Sequence, residues 1–174
     1  LQRAAVIPGF VSSTDYARDL TVNIGSINGG GPLNRVPHHA AMEAEARAFD
    51  PAVLEEAVSR ITALDGRSAV ASADGRSRAA VKAAVTQRCP AWPENPATER
   101  LFRCYARAAE RMGYGVDRER RGGLSDGNYL WDRVPVLDGL GPAGANAHCS
   151  ERSPDGVKDQ EYAVISSFIH KTLL

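Results

Sequence analysis

The chain shows no excess of charge of either sign, no apolar run as long as a membrane span, and no paired cysteine spacing. Each lack closes off a class of function. Lysine and arginine together number 21, as do aspartate and glutamate, so net charge gives no case for nucleic acid or a membrane surface as partner. The arginines in 100–111 and 118–121 are local clusters, read as solvated faces of helix and strand. Without an apolar run of spanning length, no transmembrane helix is expected. Cys89, Cys104 and Cys149 are odd in number and lack CxxC spacing, which argues against a disulfide framework and against a structural zinc knuckle. None of His38, His39, His148 and His170 sits in an HExxH or other two-histidine ligand spacing. No serine or cysteine nucleophile has a base and an orienting acid within sequence reach, although such triads are assembled in space. The sequence starts at Leu1 without a methionine or a signal-peptide core, in a segment, LQRAAVI, that reads as the end of a helix. The expectation is a fragment, which leaves the compartment unread.

What is present is ordinary globular material: 174 residues, 43% hydrophobic, enough for one domain or two small ones. Residues 8–20 carry Pro8, Gly9, serines and Asp15, which is loop chemistry. Thr21–Ile27 alternates with β-branched residues and predicts a strand. Glycines and Pro32 follow, then NRVP at 34–37. In 40–49 the small and apolar Met42, Ala44, Ala46 and Ala48 alternate with Glu43, Glu45 and Arg47, which predicts a second strand despite the alanines. Asp50-Pro51 opens a helix to Leu64, where Val53, Leu54, Ala57, Val58 and Ile61 form an apolar stripe. Asp65-Gly66 ends it. Ala79–Gln87 is expected to add a strand, and three prolines between Cys89 and Pro96 mark a boundary at 92/93.

Beyond the boundary, Thr98–Met112 predicts a strong helix with Gly113 as its stop. Tyr114–Arg120 is expected to be a strand running into the diglycine of GGLSDGNYLWDRVPVLDGLGPAGANAHCSE, residues 122–151. In that stretch Ser125, Asp126 and Gly127 look like a bend with helix-capping residues, and the helix would run to Arg133. Val134–Leu137 reads as a buried strand, and a loop of Gly, Pro, Ala and Asn leads to His148. A closing helix is expected over 159–174. The second half therefore alternates in the manner of an α/β layer, and the first resembles an α+β sandwich whose sheet is covered on one face. Such a sheet has an exposed edge that invites pairing with a second copy.

His148 stands apart from the other histidines, because the end of a glycine-rich loop after a buried strand is where α/β proteins put ligand-binding groups. His38, His39 and His170 read as structural or exposed, and Cys149 as a small loop side chain. One histidine does not make a zinc site, which needs at least three protein ligands, and only Glu151 and Asp155 lie near it in sequence.

GGLSDGN at 122–128, VPVLDGLGP at 134–142 and the Ala147-His148 pair resemble the carboxy-terminal third of the catalytic domain in the M20 family of zinc metallopeptidases, its glutamate carboxypeptidase branch in particular. TVNIGSINGGGPLNRVPHHAAMEAEAR at 21–47 is similar to that family's lid, or dimerisation, domain. The resemblance covers nearly the whole chain. It implies a lid domain over 1–92, an open-faced α+β sandwich, followed over 93–174 by the last part of an α/β zinc-peptidase catalytic domain. It implies that His148 is a zinc ligand, and that Asn34 reaches the substrate in the partner subunit's active site. Arg47 would work near the substrate carboxylate, Gly123, Leu124 and Ser125 would line the substrate pocket, and Arg100 lies near a carboxylate-binding position. The departures are as definite. The family's other ligands, its general-base glutamate and an early lid histidine correspond to nothing in this sequence. Four positions after His148 stands Arg152 where an acidic residue is common, with Glu151 one step short.

Two levels of function follow from the resemblance. The parent protein is expected to be a di-zinc hydrolase, cleaving an amide or peptide bond in a small peptide or N-acyl amino acid beside a carboxylate, as a homodimer joined through the lid. This chain, with one ligand and no general base, is expected to be inactive and to bind metal weakly. Two rivals remain: a non-catalytic dimerisation or binding module, and a complementing chain that regains activity with an amino-terminal partner.

Overall fold

The structure is a computed structural model and describes residues 13–66, 70–157 and 159–173. The helix end expected in LQRAAVI lies outside them. The chain is a mixture of α and β, with three α-helices and two small antiparallel sheets among the described residues. It divides into two compact units. The first takes the residues up to Glu94 together with Arg121–Tyr129, and the second takes Asn95–Arg120 and the residues from Leu130 onward.

In the first unit, β1 (Ser13–Asp15), β2 (Leu20–Gly29) and β3 (Ala40–Arg47) form an antiparallel sheet in that order. β2 forms because its apolar residues fall on every second position. Leu20, Val22 and Ile24 turn to the covered face, and Val22 is buried. Ile24 pairs with Ala44 but Ser26 pairs with Glu43, so the register shifts by one at Gly25, where a bulge leaves the Ser26 hydroxyl donating to the Glu43 carboxylate at 3.0 Å. β3 is one of the two edge strands, and its residues are exposed from Ala40 to Glu45. The alternation read there agrees with the strand, but its alanines bury little.

Helix α1 (Pro51–Thr62) starts where the sequence says it should. Asp50 is the N-cap, its Oδ1 accepting from the Ala52 N–H at 2.7 Å, and Pro51 occupies the first turn, where a missing N–H costs nothing. Ala57 of the apolar stripe is buried, and α1 packs against β3. Two exposed ion pairs tie the polar side of α1 to the rest of the unit, Glu56 to Arg18 and Glu55 to Arg88.

Ala79–Gln87 does not join the sheet. Its backbone makes turn contacts instead: Val81 O accepts from the Gly66 N–H at 2.7 Å, and the Ala83 N–H donates to Asp65 Oδ1 at 2.8 Å. Asp65, just beyond the end of α1, thus holds the returning chain.

In the second unit, α2 (Pro96–Arg111) repeats the same opening chemistry, with Asn95 Oδ1 accepting from the Thr98 N–H at 2.9 Å and Pro96 behind it. Gly113 at φ +84° stops it, and the Tyr114 N–H closes back on the Ala109 carbonyl at 2.9 Å. Ala109 is fully buried. Glu99, in the first turn, takes Arg103 one turn on and Arg118 from the following segment, and Arg118 also lies 5.9 Å from the centre of the Phe102 ring. Tyr114–Arg120 and Val134–Leu137, expected as strands, run without ladder pairing. The terminal helix is shorter than its periodicity suggests. Tyr162–Ala163 forms β5 against β4 (Gly144–Ala145), so α3 begins only at Ile165 and runs to Leu173.

Candidate functional site

The turn at 122–129 is the best-defined polar construction in the first unit. The α-helix expected to open at Ser125 and run to Arg133 is a single 3-10 turn, Asp126–Tyr129. The reason lies in its side chains. Ser125 Oγ accepts from the Gly127 N–H at 3.2 Å, as a capping residue does, but Asn128 turns its amide back onto Ser125, and its Oδ1 takes the Ser125 N–H at 3.0 Å. The other end of that amide donates to the Pro90 carbonyl at 2.9 Å. Gly127 lies against the indole of Trp92, so closely that a Cβ there would stand 2.9 Å from Cη2 of that ring. Tyr129 donates to the Arg88 carbonyl at 3.3 Å, and its hydrogen bond with Cys89 raises its own pKa. The proline-rich stretch expected to be a boundary is therefore also the seat on which this turn rests.

Arg47 meets the head of the same turn. Its Nη1 donates to the Gly122 carbonyl at 2.7 Å, and its Nε is paired with Glu45. Of the residues assigned to substrate by resemblance, Arg47 is thus brought to the Gly123, Leu124 and Ser125 turn. Gly123 and Leu124 are exposed and Ser125 is half-buried.

Asn34 lies in the exposed loop between β2 and β3. That loop encloses an open cavity of about 470 Å³, lined among others by Asn28, Arg35, Val36, His38 and His39. The lining carries cationic or neutral groups and no carboxylate. His38 and His39, read as structural, line this cavity.

In the second unit, Arg100 is exposed just after the first turn of α2. His148 is also exposed, and it follows β4 in a tight turn where both Asn146 (φ +61°) and His148 (φ +66°) adopt left-handed backbone. The Cys149 N–H closes this turn on the Asn146 carbonyl at 3.0 Å, and the His148 N–H faces Glu161 Oε2 at 3.4 Å. Gly144 is needed for the clip that carries the turn, since a Cβ there would collide with the Tyr162 carbonyl. Among the described residues no three His, Cys, Asp or Glu side chains are grouped so as to hold a metal ion. A zinc site needs at least three protein ligands, so His148 could serve one only together with ligands from outside the described residues.

Sequence reading missed Asn128 as the organiser of its turn. The signal was the spacing Ser125 to Asn128, a local side-chain-to-backbone pairing that competes with a helix start in the same letters.

Among the described residues, no helix is long and apolar enough to cross a membrane. No protein-family model, curated protein or solved structure matches the chain.

Proposed function

We propose that this chain is the carboxy-terminal part of a di-zinc metallohydrolase of the M20 type, which cleaves an amide or peptide bond beside a carboxylate-bearing residue and is silent without its remaining ligands. In this reading the first half is the lid, an open-faced α+β sandwich that also joins two copies, and the second half completes an α/β catalytic domain. His148 is the one metal ligand this chain supplies.

The observation that carries the reading is the hydrogen bond from Arg47 to Gly122, which unites two sequence-distant motifs assigned to the same substrate. A guanidinium has five N–H donors in a planar fork, so one already aimed at the turn retains others for a carboxylate laid along it. Arg47 would fix that carboxylate while the exposed backbone of Gly123 and Leu124 lines its path. Zinc, when bound with the full ligand set, would supply an activated water and polarise the scissile carbonyl. This chain's own part is to bind and orient.

A specific feature favours the second reading, a dimerisation module without chemistry: β3 is a sheet edge paired on one side by β2. The two are separated by mixing the chain with a polypeptide that carries the missing histidine, aspartate and glutamate ligands. Zinc-dependent hydrolysis of an N-acyl-glutamate on mixing is the expected result. A chain that dimerises and yields no hydrolysis under any such mixture is the module instead.

A further inference from the structure

We propose that Asn128 is a positioning residue: its side-chain amide holds the Gly122–Ser125 turn in its binding shape without touching the ligand. The part of this inference that concerns a ligand rests on the functional reading above; the part that concerns the turn does not.

Asn128 is the one buried polar residue among those described, at 7% exposure. Its two ends do different jobs at once. Oδ1 accepts from the Ser125 N–H at 3.0 Å, Nδ2 donates to the Pro90 carbonyl at 2.9 Å, and its own backbone N–H donates to Ser125 O at 3.1 Å. Aspartate would keep the acceptor and lose the donor, and alanine would leave a backbone N–H and a carbonyl both without their partner. The Trp92 ring lies against Gly127, the residue before Asn128. At the opposite end Arg47 holds the Gly122 carbonyl. A seven-residue turn pinned at head and tail leaves Gly123 and Leu124 between the pins, both exposed. Backbone fixed beforehand does not have to be ordered when a ligand arrives, so the pins act on affinity.

The test uses the intact chain, with N-acetyl-L-glutamate as probe and amide resonances as readout. In the wild type the Ser125 amide is protected from exchange, and titration with the probe shifts Gly123 and Leu124. In Asn128→Ala, Ser125 protection is lost and the probe binds about tenfold more weakly. In Asn128→Asp the acceptor for the Ser125 N–H is kept and only the donor to Pro90 is lost, so Ser125 protection falls less than in Asn128→Ala. A variant that had simply unfolded would also lose amide protection along the β2–β3 ladder, which Asn128→Ala keeps. Unchanged Ser125 exchange in Asn128→Ala overturns the proposal. So does unchanged probe affinity in a variant whose turn has opened. If the wild type binds no probe while Ser125 responds as stated, the turn-holding role stands and the hydrolase reading fails.

Discussion

Arg47, the last residue of β3, donates from Nη1 to the carbonyl of Gly122 across 75 residues of sequence, at 2.7 Å. This bond joins the strand pattern of the first half to the diglycine turn of the second motif. Arg47→Lys keeps the charge but loses the planar fork. The variant is expected to expose the Gly122–Ser125 amides to exchange, and to weaken N-acetyl-L-glutamate binding about tenfold. Binding equal to wild type would remove Arg47 from the ligand.

Gly127 and Trp92 make a second test, on stability alone. A Cβ at Gly127 meets the indole, so Gly127→Ala should cost about 1–3 kcal/mol in denaturant unfolding. In a double-mutant cycle with Trp92→Leu, most of that cost should vanish, because the colliding atoms are gone. Additive effects would mean that the two do not touch in solution.

The acid limb of stability is a third. Hydrogen bonds from Arg88 and Arg18 lower the pKa values of Glu55 and Glu56 below their ordinary 4.5. A carboxylate with a depressed folded pKa contributes stability that is fully present above its unfolded value and is lost as the pH falls through the folded one. Thermal unfolding followed from neutral pH downward should therefore show a falling midpoint below about pH 4.5. The pair Glu55→Gln and Glu56→Gln should flatten that fall. Both sites are exposed, so added salt should reduce the difference.

The starts of α1 and α2 were legible in the sequence, whereas the helix expected at Ser125–Arg133 is a 3-10 turn and sheet membership was only partly readable, for a physical reason. α1 and α2 satisfy their own backbone, and their ends are written in adjacent letters: Asp50-Pro51, Asn95-Pro96 and Gly113. β2 and β3 were readable as strands from their alternation, but their register was not, because it shifts by one at Gly25. A strand pattern such as Ala79–Gln87 or Val134–Leu137 says only that a segment can extend; which neighbour pairs with it is decided far away in sequence. The expected terminal helix lost its first turn to Tyr162 for the same reason, since Gly144 and Ala145 lie well upstream. At the site, the residue types of the 122–128 turn were legible, but the role of Asn128 was not, because Pro90 stands 38 positions away.

Gly144 offers a prediction for the second unit. Gly144→Ala would drive a Cβ into the Tyr162 carbonyl, so the β4–β5 pairing should open at a cost of about 1–3 kcal/mol. The amides of Cys149 and Glu161 report it by exchange, since the Glu161 N–H donates to the Cys149 carbonyl at 2.8 Å. Retained protection at both would show that the clip does not depend on a bare Cα.

His148 is proposed as the one metal ligand on this chain. The most direct measurement is zinc content, with N-acyl-glutamate hydrolysis, of the chain complemented by the missing ligands, comparing His148→Ala with His170→Ala. His148→Ala should lose bound zinc and at least about 100-fold in rate, while His170→Ala should keep both. Full zinc occupancy and an unchanged rate in His148→Ala would contradict it.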